Sequence, residues 1–328
     1  MTPPLTNPAH AGTVLVVGGT GLLGRRFITA ALAAGYTIRC TLRGEAPAWL
    51  RACEGEQLDT MAWKGGDNPL PSDVWDGVES VVNLAGASIA DGRWTSGRKQ
   101  VLRDSRLATT RSIVQGMARQ SHLRTLINAS GVAIYGLHAS GADEESPPQR
   151  DHFLAELAGD WEAEAQAAPQ RVVLLRLGLV VAPSGGAMEK IVPRWLPRLT
   201  PLVPLGHGRQ GVSWIHIDDA VAMILAAIAN ERWRGAVNAV APEPVDNGHF
   251  TQVAAGVSGH PYIGIGVPRL ALKAALGQQS ALVLADSWVY PMRPKAWGFV
   301  HRYPHIHQAL QAWWDERRHD ATSTNAVQ

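Results

Sequence analysis

The sequence predicts a doubly wound parallel α/β sheet carrying a smaller, mixed C-terminal lobe, and three observations predict it. Apolar runs that read as buried strands alternate with helical stretches as far as residue 181. A glycine-rich turn joins the first strand to the first helix. From Pro183 the alternation stops, broken by Pro193, Pro197, Pro201 and Pro204 with Gly185, Gly186, Gly206 and Gly208.

Val14–Val17 is apolar throughout, the pattern of a strand covered on both faces. Gly19, Gly21 and Gly24 then satisfy G-x-G-x-x-G, and Gly18, Gly21 and Gly24 satisfy G-x-x-G-x-x-G. Such a turn lets a pyrophosphate approach the backbone amides, which a Cβ would obstruct. A helix over Leu22–Ala34, ended by Gly35, would direct its free amides and positive dipole end at the phosphates. Strand, glycines, helix and a second strand, Tyr36–Leu42, follow in the order of a dinucleotide-binding Rossmann unit. The residues expected against the cofactor are therefore Gly18, Gly19, Thr20, Gly21, Leu22, Leu23 and Gly24.

A site for NAD places Asp or Glu at the end of the second strand, on the ribose 2′-hydroxyl. Here Leu42 and Arg43 stand there. A guanidinium attracts a 2′-phosphate that an acid would repel, so the expected cofactor is NADP.

Residues 44–78 have weak periodicity, with a short strand near Leu58–Trp63 and Asp67 near the adenine. A fourth strand, Ser80–Leu84, runs into Ala85-Gly86-Ala87, small residues that allow the backbone to lie against a cofactor. Gly97–Arg119 reads as one long helix, with Arg106 at the border of its apolar face. The fifth strand, Leu123–Ala129, delivers Ser130 to Gly136 to the carboxyl edge of the sheet. A helix over Phe153–Ala168 and a sixth strand over Arg171–Val181 follow; a helix over Ile217–Ala229 and a seventh strand over Ala236–Ala241 rejoin the sheet. The dinucleotide-binding domain is thus expected over 1–182 and about 214–242, the substrate lobe over about 183–213 and 243–314, and a frayed tail over 315–328.

Composition excludes several classes. A net charge of +2 and no basic run argue against nucleic acid or a membrane surface as partner. No apolar run reaches the roughly 18 residues that span a bilayer, and the leader lacks the features of a secretory signal, so a cytoplasmic protein is expected. Cys40 and Cys53 make neither a disulfide framework nor a metal site.

The strings VLVVGGTGLLG, NLAGA, SGVAIYG and WIHIDDAV resemble the extended short-chain dehydrogenase/reductases, relatives of the nucleoside-diphosphate-sugar epimerases. RWTSGRKQVLRDSRLATT, DWEAEA, GRQGVSWIHIDD, APEPVDNGHF and GFVHRYPHIHQAL are similar, more narrowly, to an "epimerase family" branch that ends in a domain of unknown function. The resemblance runs from about Thr13 to Leu310. It implies phosphate binding by Arg43 and Arg106, Leu84 and Ala85 along the cofactor with Gly86 expected beside them, and Val180 at the nicotinamide end.

One departure bears on chemistry. The wider superfamily carries Tyr-x-x-x-Lys on the helix after the fifth strand, where the lysine lowers the pKa of a proton-exchanging tyrosine. Between Asp151 and Ala168 this chain has neither residue type. Ser130 and Tyr135 are the nearest hydroxyls and are the expected catalytic pair; Lys99, Arg93, His207, His216 and Asp218 are further polar candidates. His301, His305 and His307 read as surface, and the 12 tryptophans as either an aromatic cleft or packing. Two functions stand: an NADP-dependent oxidoreductase or epimerase acting on a small hydroxylated or carbonyl compound, or a non-catalytic NADP(H)-binding or redox-sensing regulator working through a partner. Some relatives of the branch carry a cell-division-inhibitor label, which suits the second.

Overall fold

In a computed structural model, described over residues 11–53 and 55–325, the chain forms a seven-stranded, wholly parallel sheet. Its first strands are β1 (Ala11–Val17), β2 (Tyr36–Leu42), β3 (Leu58–Ala62), β4 (Val78–Asn83) and β5 (Thr125–Gly131). Strands Arg171–Leu177 and Gly235–Ala239 extend the sheet beyond β5, so the order across it is 235–239, 171–177, β5, β4, β1, β2, β3. The winding reverses at β1, which pairs with β2 on one side and β4 on the other. The crevice at the carboxyl ends of β1 and β4 is where such folds bind ligands.

β1 shows why its sequence is apolar at every position. Val14 and Val16 enter one core layer with Phe27 and Ile28, while Leu15 and Val17 enter the opposite layer with Val74 and Ile113. Helix α1 (Leu22–Ala33) and helix Ile217–Ala229 cover the first face.

The structure corrects three boundaries. The long helix expected over 97–119 divides into Ser96–Asp104 and Leu107–Met117. The side chains at the break are engaged: Ser105 accepts from the Ala87 amide at 3.0 Å, and Arg106 donates to the Ala87 and Leu102 carbonyls. The sixth strand breaks at Gly178, where a Cβ would lie 2.6 Å from the Ser213 carbonyl oxygen. Leu179–Val181 leaves the main sheet to pair with Trp214–His216. The third correction is the tail. A helix runs on over Ile306–Asn325, and Arg317 on it is buried, donating to the Val192 carbonyl at 2.7 Å.

The second lobe has its own core around Trp214, Phe250, Ile306 and Trp313. Short ladders Gly211–Val212 with Val245–Asp246, and His138–Ala142 with Asp286–Val289, tie it together. Trp214, Trp233 and Trp313 are fully buried, so these indoles serve packing. No helix among the described residues is long and apolar enough to cross a membrane.

Candidate active site

The glycine turn is built by contacts that admit no side chain. Gly18 has φ +84°, and a Cβ there would lie 2.7 Å from the Leu84 carbonyl carbon and the Ala85 nitrogen. β4 therefore leaves the sheet directly against the turn, with the Leu84 amide bonded to the Val17 carbonyl at 2.8 Å. A Cβ on Gly24 would run into the Gly18 carbonyl and sit 2.7 Å from the Gly19 Cα, so this glycine sets the close packing of helix on turn.

Gly21 differs. A Cβ there would meet one atom, the Gly18 oxygen at 3.3 Å, a tight contact but a milder one than at Gly18 or Gly24. Thr20 and Gly21 are exposed, Leu22 and Leu23 half-buried. α1 starts after Gly21 with no side chain capping it and no acid in its first turn, which leaves its leading amides to accept an anion.

The residues expected at the rest of a dinucleotide lie as follows. Leu42 is buried at the end of β2, and Arg43 beyond it is exposed, with no carboxylate partner among the described residues. Ala85 donates its amide to Asn83 Oδ1 at 3.2 Å. Arg106 lies so close over Gly86 that a Cβ would be 2.8 Å from its Cζ, and its guanidinium rests on the Trp161 ring, 5.1 Å from the centroid. Burial without a carboxylate partner pushes the Arg106 pKa down to about 10. Val180 stands in the short ladder opposite Ile215, packed against the core layer that holds Phe27. Asp67 is exposed and near Arg111, at 3.8 Å.

Ser130 and Tyr135 do follow β5, but their hydroxyls are already engaged in a buried network. Ser130 Oγ donates to Glu162 Oε1 at 2.7 Å. Arg176 donates to both oxygens of Glu162 at 2.8 Å and to Tyr135 Oη at 2.8 Å. Tyr135 Oη donates in turn to Asn238 Oδ1 at 2.7 Å. Burial, only partly offset by Arg176, holds the phenol pKa above its usual value. Asn238 continues the chain, its amide group bonded to the Tyr290 carbonyl and its backbone NH to Glu144. The sequence reading missed Glu162, Arg176 and Asn238. The signal was present: Arg176 interrupts an apolar strand, and Glu162 shares its helix face with Leu154, Leu157, Ala158 and Ala165.

The further polar candidates scatter. His216, buried, accepts from the Asp218 amide at 3.2 Å as the cap of helix Ile217–Ala229, and burial pushes its pKa down to about 4. Asp218 pairs with Arg26 at 2.7 Å, and buried Asp219 accepts from the Arg302 and Tyr303 amides, so WIHIDD latches the C-terminal segment to the sheet. His301 is half-buried against Phe299 and the Val240 carbonyl, not at the surface, whereas His305 and His307 are exposed. His207 lines a separate open cleft of the second lobe with Asp246 and His249. Lys99 lines a cleft of about 450 Å³ between the lobes, beside Trp94 and Phe153. Neither Ser130 nor Tyr135 lines that cleft.

Residues 14–239 match the NAD dependent epimerase/dehydratase family, and 267–313 match a domain of unknown function, DUF1731. The chain belongs to the NAD dependent epimerase/dehydratase family. An Arabidopsis thaliana relative, "Epimerase family protein SDR39U1 homolog, chloroplastic", is 33% identical over 92% of this chain and 86% of its own length. A Bacillus subtilis member, epimerase family protein YfhF, is 32% identical over 90% of this chain and 96% of its own. Among solved structures, human epimerase family protein SDR39U1 (isoform 2), crystallised with NADPH, superposes with a TM-score of 0.80 at 28% identity, covering 92% of this chain and 99% of that one. UDP-glucuronic acid 4-epimerase from Bacillus cereus has a TM-score of 0.73 at 16% identity, over 94% of this chain and 99% of its own, which shows a shared fold.

Proposed function

We propose that this family member binds NADP(H) across the β1–α1 turn and catalyses hydride transfer with a small hydroxylated or carbonyl substrate. The observation that carries the reading is the charge arrangement at the turn: uncapped amides of α1 and an exposed Gly21, flanked by two guanidinium groups without carboxylate partners among the described residues, exposed Arg43 and half-buried Arg106. These residues fit a dinucleotide that bears a 2′-phosphate. The NADPH in the human relative's crystal structure supports the same choice.

When bound, the nicotinamide supplies or accepts the hydride. The protein's part is to hold and orient. The α1 amides and Arg106 take phosphate charge, Arg43 selects the 2′-phosphate, and Leu84, Ala85 and Gly86 give a flat backbone wall. The Glu162–Arg176 pair fixes Ser130 and Tyr135, and with them the carboxyl end of β5, so we read these hydroxyls as positioning groups.

A non-catalytic NADP(H) binder is the second reading. It is favoured by the absence of tyrosine and lysine from helix Phe153–Gln166 and by the engagement of both nearby hydroxyls. Titration with NADPH and NADH, followed by a screen of carbonyl compounds for NADPH oxidation at 340 nm, tests both readings. Tight NADPH binding with turnover supports the enzyme, tight binding without turnover the binder, and no preference for NADPH refutes the cofactor assignment.

A further inference from the structure

We propose that the cleft between the lobes is a binding site for a small, doubly charged anion with a flat apolar part; as a substrate class this rests on the hydride-transfer reading above. Three cations converge on the cleft from both lobes. Lys99 comes from helix Ser96–Asp104 of the sheet domain, and Arg269 and Lys273 come from helix Arg269–Leu276 of the second lobe. The latter two are four residues apart and so share a helix face. Among the described residues, none of the three has a carboxylate within ion-pair distance. Glu156, the acid of the cleft wall, is taken by Arg103 at 3.3 Å.

The wall is aromatic as well as basic. Trp94 and Phe153 meet edge to face, with centroids 5.4 Å apart, and Lys99 Nζ lies 5.0 Å from the Phe153 centroid. A volume of about 450 Å³ lies within the range of small-molecule sites. Trp94 links the cleft to the segment after β4: Ala87 and Ile89, just past Leu84–Gly86, pack with Trp94 in one apolar cluster, and the Ile89 carbonyl accepts from the Trp94 indole at 2.9 Å. An anionic group anchored by Arg269 and Lys273, with its flat part against Trp94 and Phe153, would thus be held next to that wall. Like charges facing one another across a cleft whose one lining acid, Glu156, is paired to Arg103 repel, and a bound dianion relieves the repulsion.

Calorimetric titration of the full chain with phenyl phosphate and with phthalate tests this, using benzamide as the neutral analogue, in the presence and absence of NADPH at low salt. At least one anion should bind, and benzamide should not. Which anion binds better separates a phosphate from a carboxylate ligand. Arg269→Gln combined with Lys273→Gln should weaken binding at least tenfold and flatten its dependence on salt, while the rise in melting temperature produced by NADPH stays as in the parent. Lys99→Met should weaken binding separately. Failure of both anions to bind, equal binding of benzamide, or an unchanged affinity in the double variant would overturn the proposal. A parent that gains no stability from NADPH would refute the cofactor reading instead, and the titration without NADPH would still decide the anion site.

Discussion

Arg176 and Glu162 face each other in a bidentate ion pair, both contacts 2.8 Å, with each side chain only 6% exposed. The pair sits by the carboxyl end of β5, Glu162 on helix Phe153–Gln166 and Arg176 on strand Arg171–Leu177. Its neutral sum lets charge stay buried, and the spare donors and acceptors hold Ser130 and Tyr135. Replacing one partner leaves the other charge uncompensated. Glu162→Gln should therefore lower stability by about 3–5 kcal/mol. Glu162→Gln with Arg176→Met should cost less than the two single changes added together. Urea unfolding of the four proteins checks this, and simple additivity would show that the pair is not coupled.

The cofactor preference should reside in Arg43. Its exposed guanidinium lacks a carboxylate partner among the described residues, so it is available to a 2′-phosphate. NADPH should bind more tightly than NADH by about 1–3 kcal/mol, and Arg43→Ala should remove most of that difference while leaving NADH affinity nearly unchanged. Quenching of tryptophan fluorescence reads both affinities. Equal affinities in the parent would contradict the assignment.

Two glycines of the turn should fail in different ways. Gly18→Ala drives a Cβ into the backbone of Leu84 and Ala85 at a positive φ, so the fold itself should lose stability. Gly21→Val meets one backbone atom, the Gly18 oxygen at 3.3 Å, and fills the exposed face of the turn. It should lose less stability than Gly18→Ala yet gain nothing from NADPH. Thermal melts with and without NADPH distinguish the two. A Gly21→Val protein stabilised like the parent would mean that the phosphates lie elsewhere.

His216 should make stability fall on acidification. Its folded pKa is pushed down to about 4 from an ordinary 6.5, chiefly by burial. Between those values the unfolded chain binds the proton and the folded chain does not. The stability contributed by the neutral ring is therefore complete above about pH 6.5 and is lost as pH falls toward 4, by up to about 3 kcal/mol. His301, also lowered by burial, acts in the same direction, while Asp219, raised by burial, acts oppositely. The difference between parent and His216→Asn isolates the ring, since asparagine can still cap the helix. Denaturant midpoints at pH 7.5, 6, 5 and 4 should fall less steeply in the variant, and parallel profiles would remove His216 from the account.

The residues by themselves determined the parallel sheet, the glycine turn and the boundaries of β2 and helix Ile217–Ala229, because these rest on local patterns: a doubly buried strand must be apolar at every position, and a backbone approached at 2.7 Å must lack a Cβ. Arg43 and Arg106 were singled out from the missing acid after β2 and from a helix border, but the structure puts Arg106 at a break between two helices. Tertiary structure decided the rest. Whether Ser130 and Tyr135 face a substrate or each other's neighbours depends on Glu162, 32 residues from Ser130 in the chain, and Asn238, 103 residues from Tyr135. The tail reads as polar, yet Arg317 is drawn in by the Val192 carbonyl, 125 residues away, and by the rings of Trp313 and Trp314. Hydrogen bonds between groups so far apart leave no periodicity in a sequence; only the folded chain decides which buried charge meets which partner.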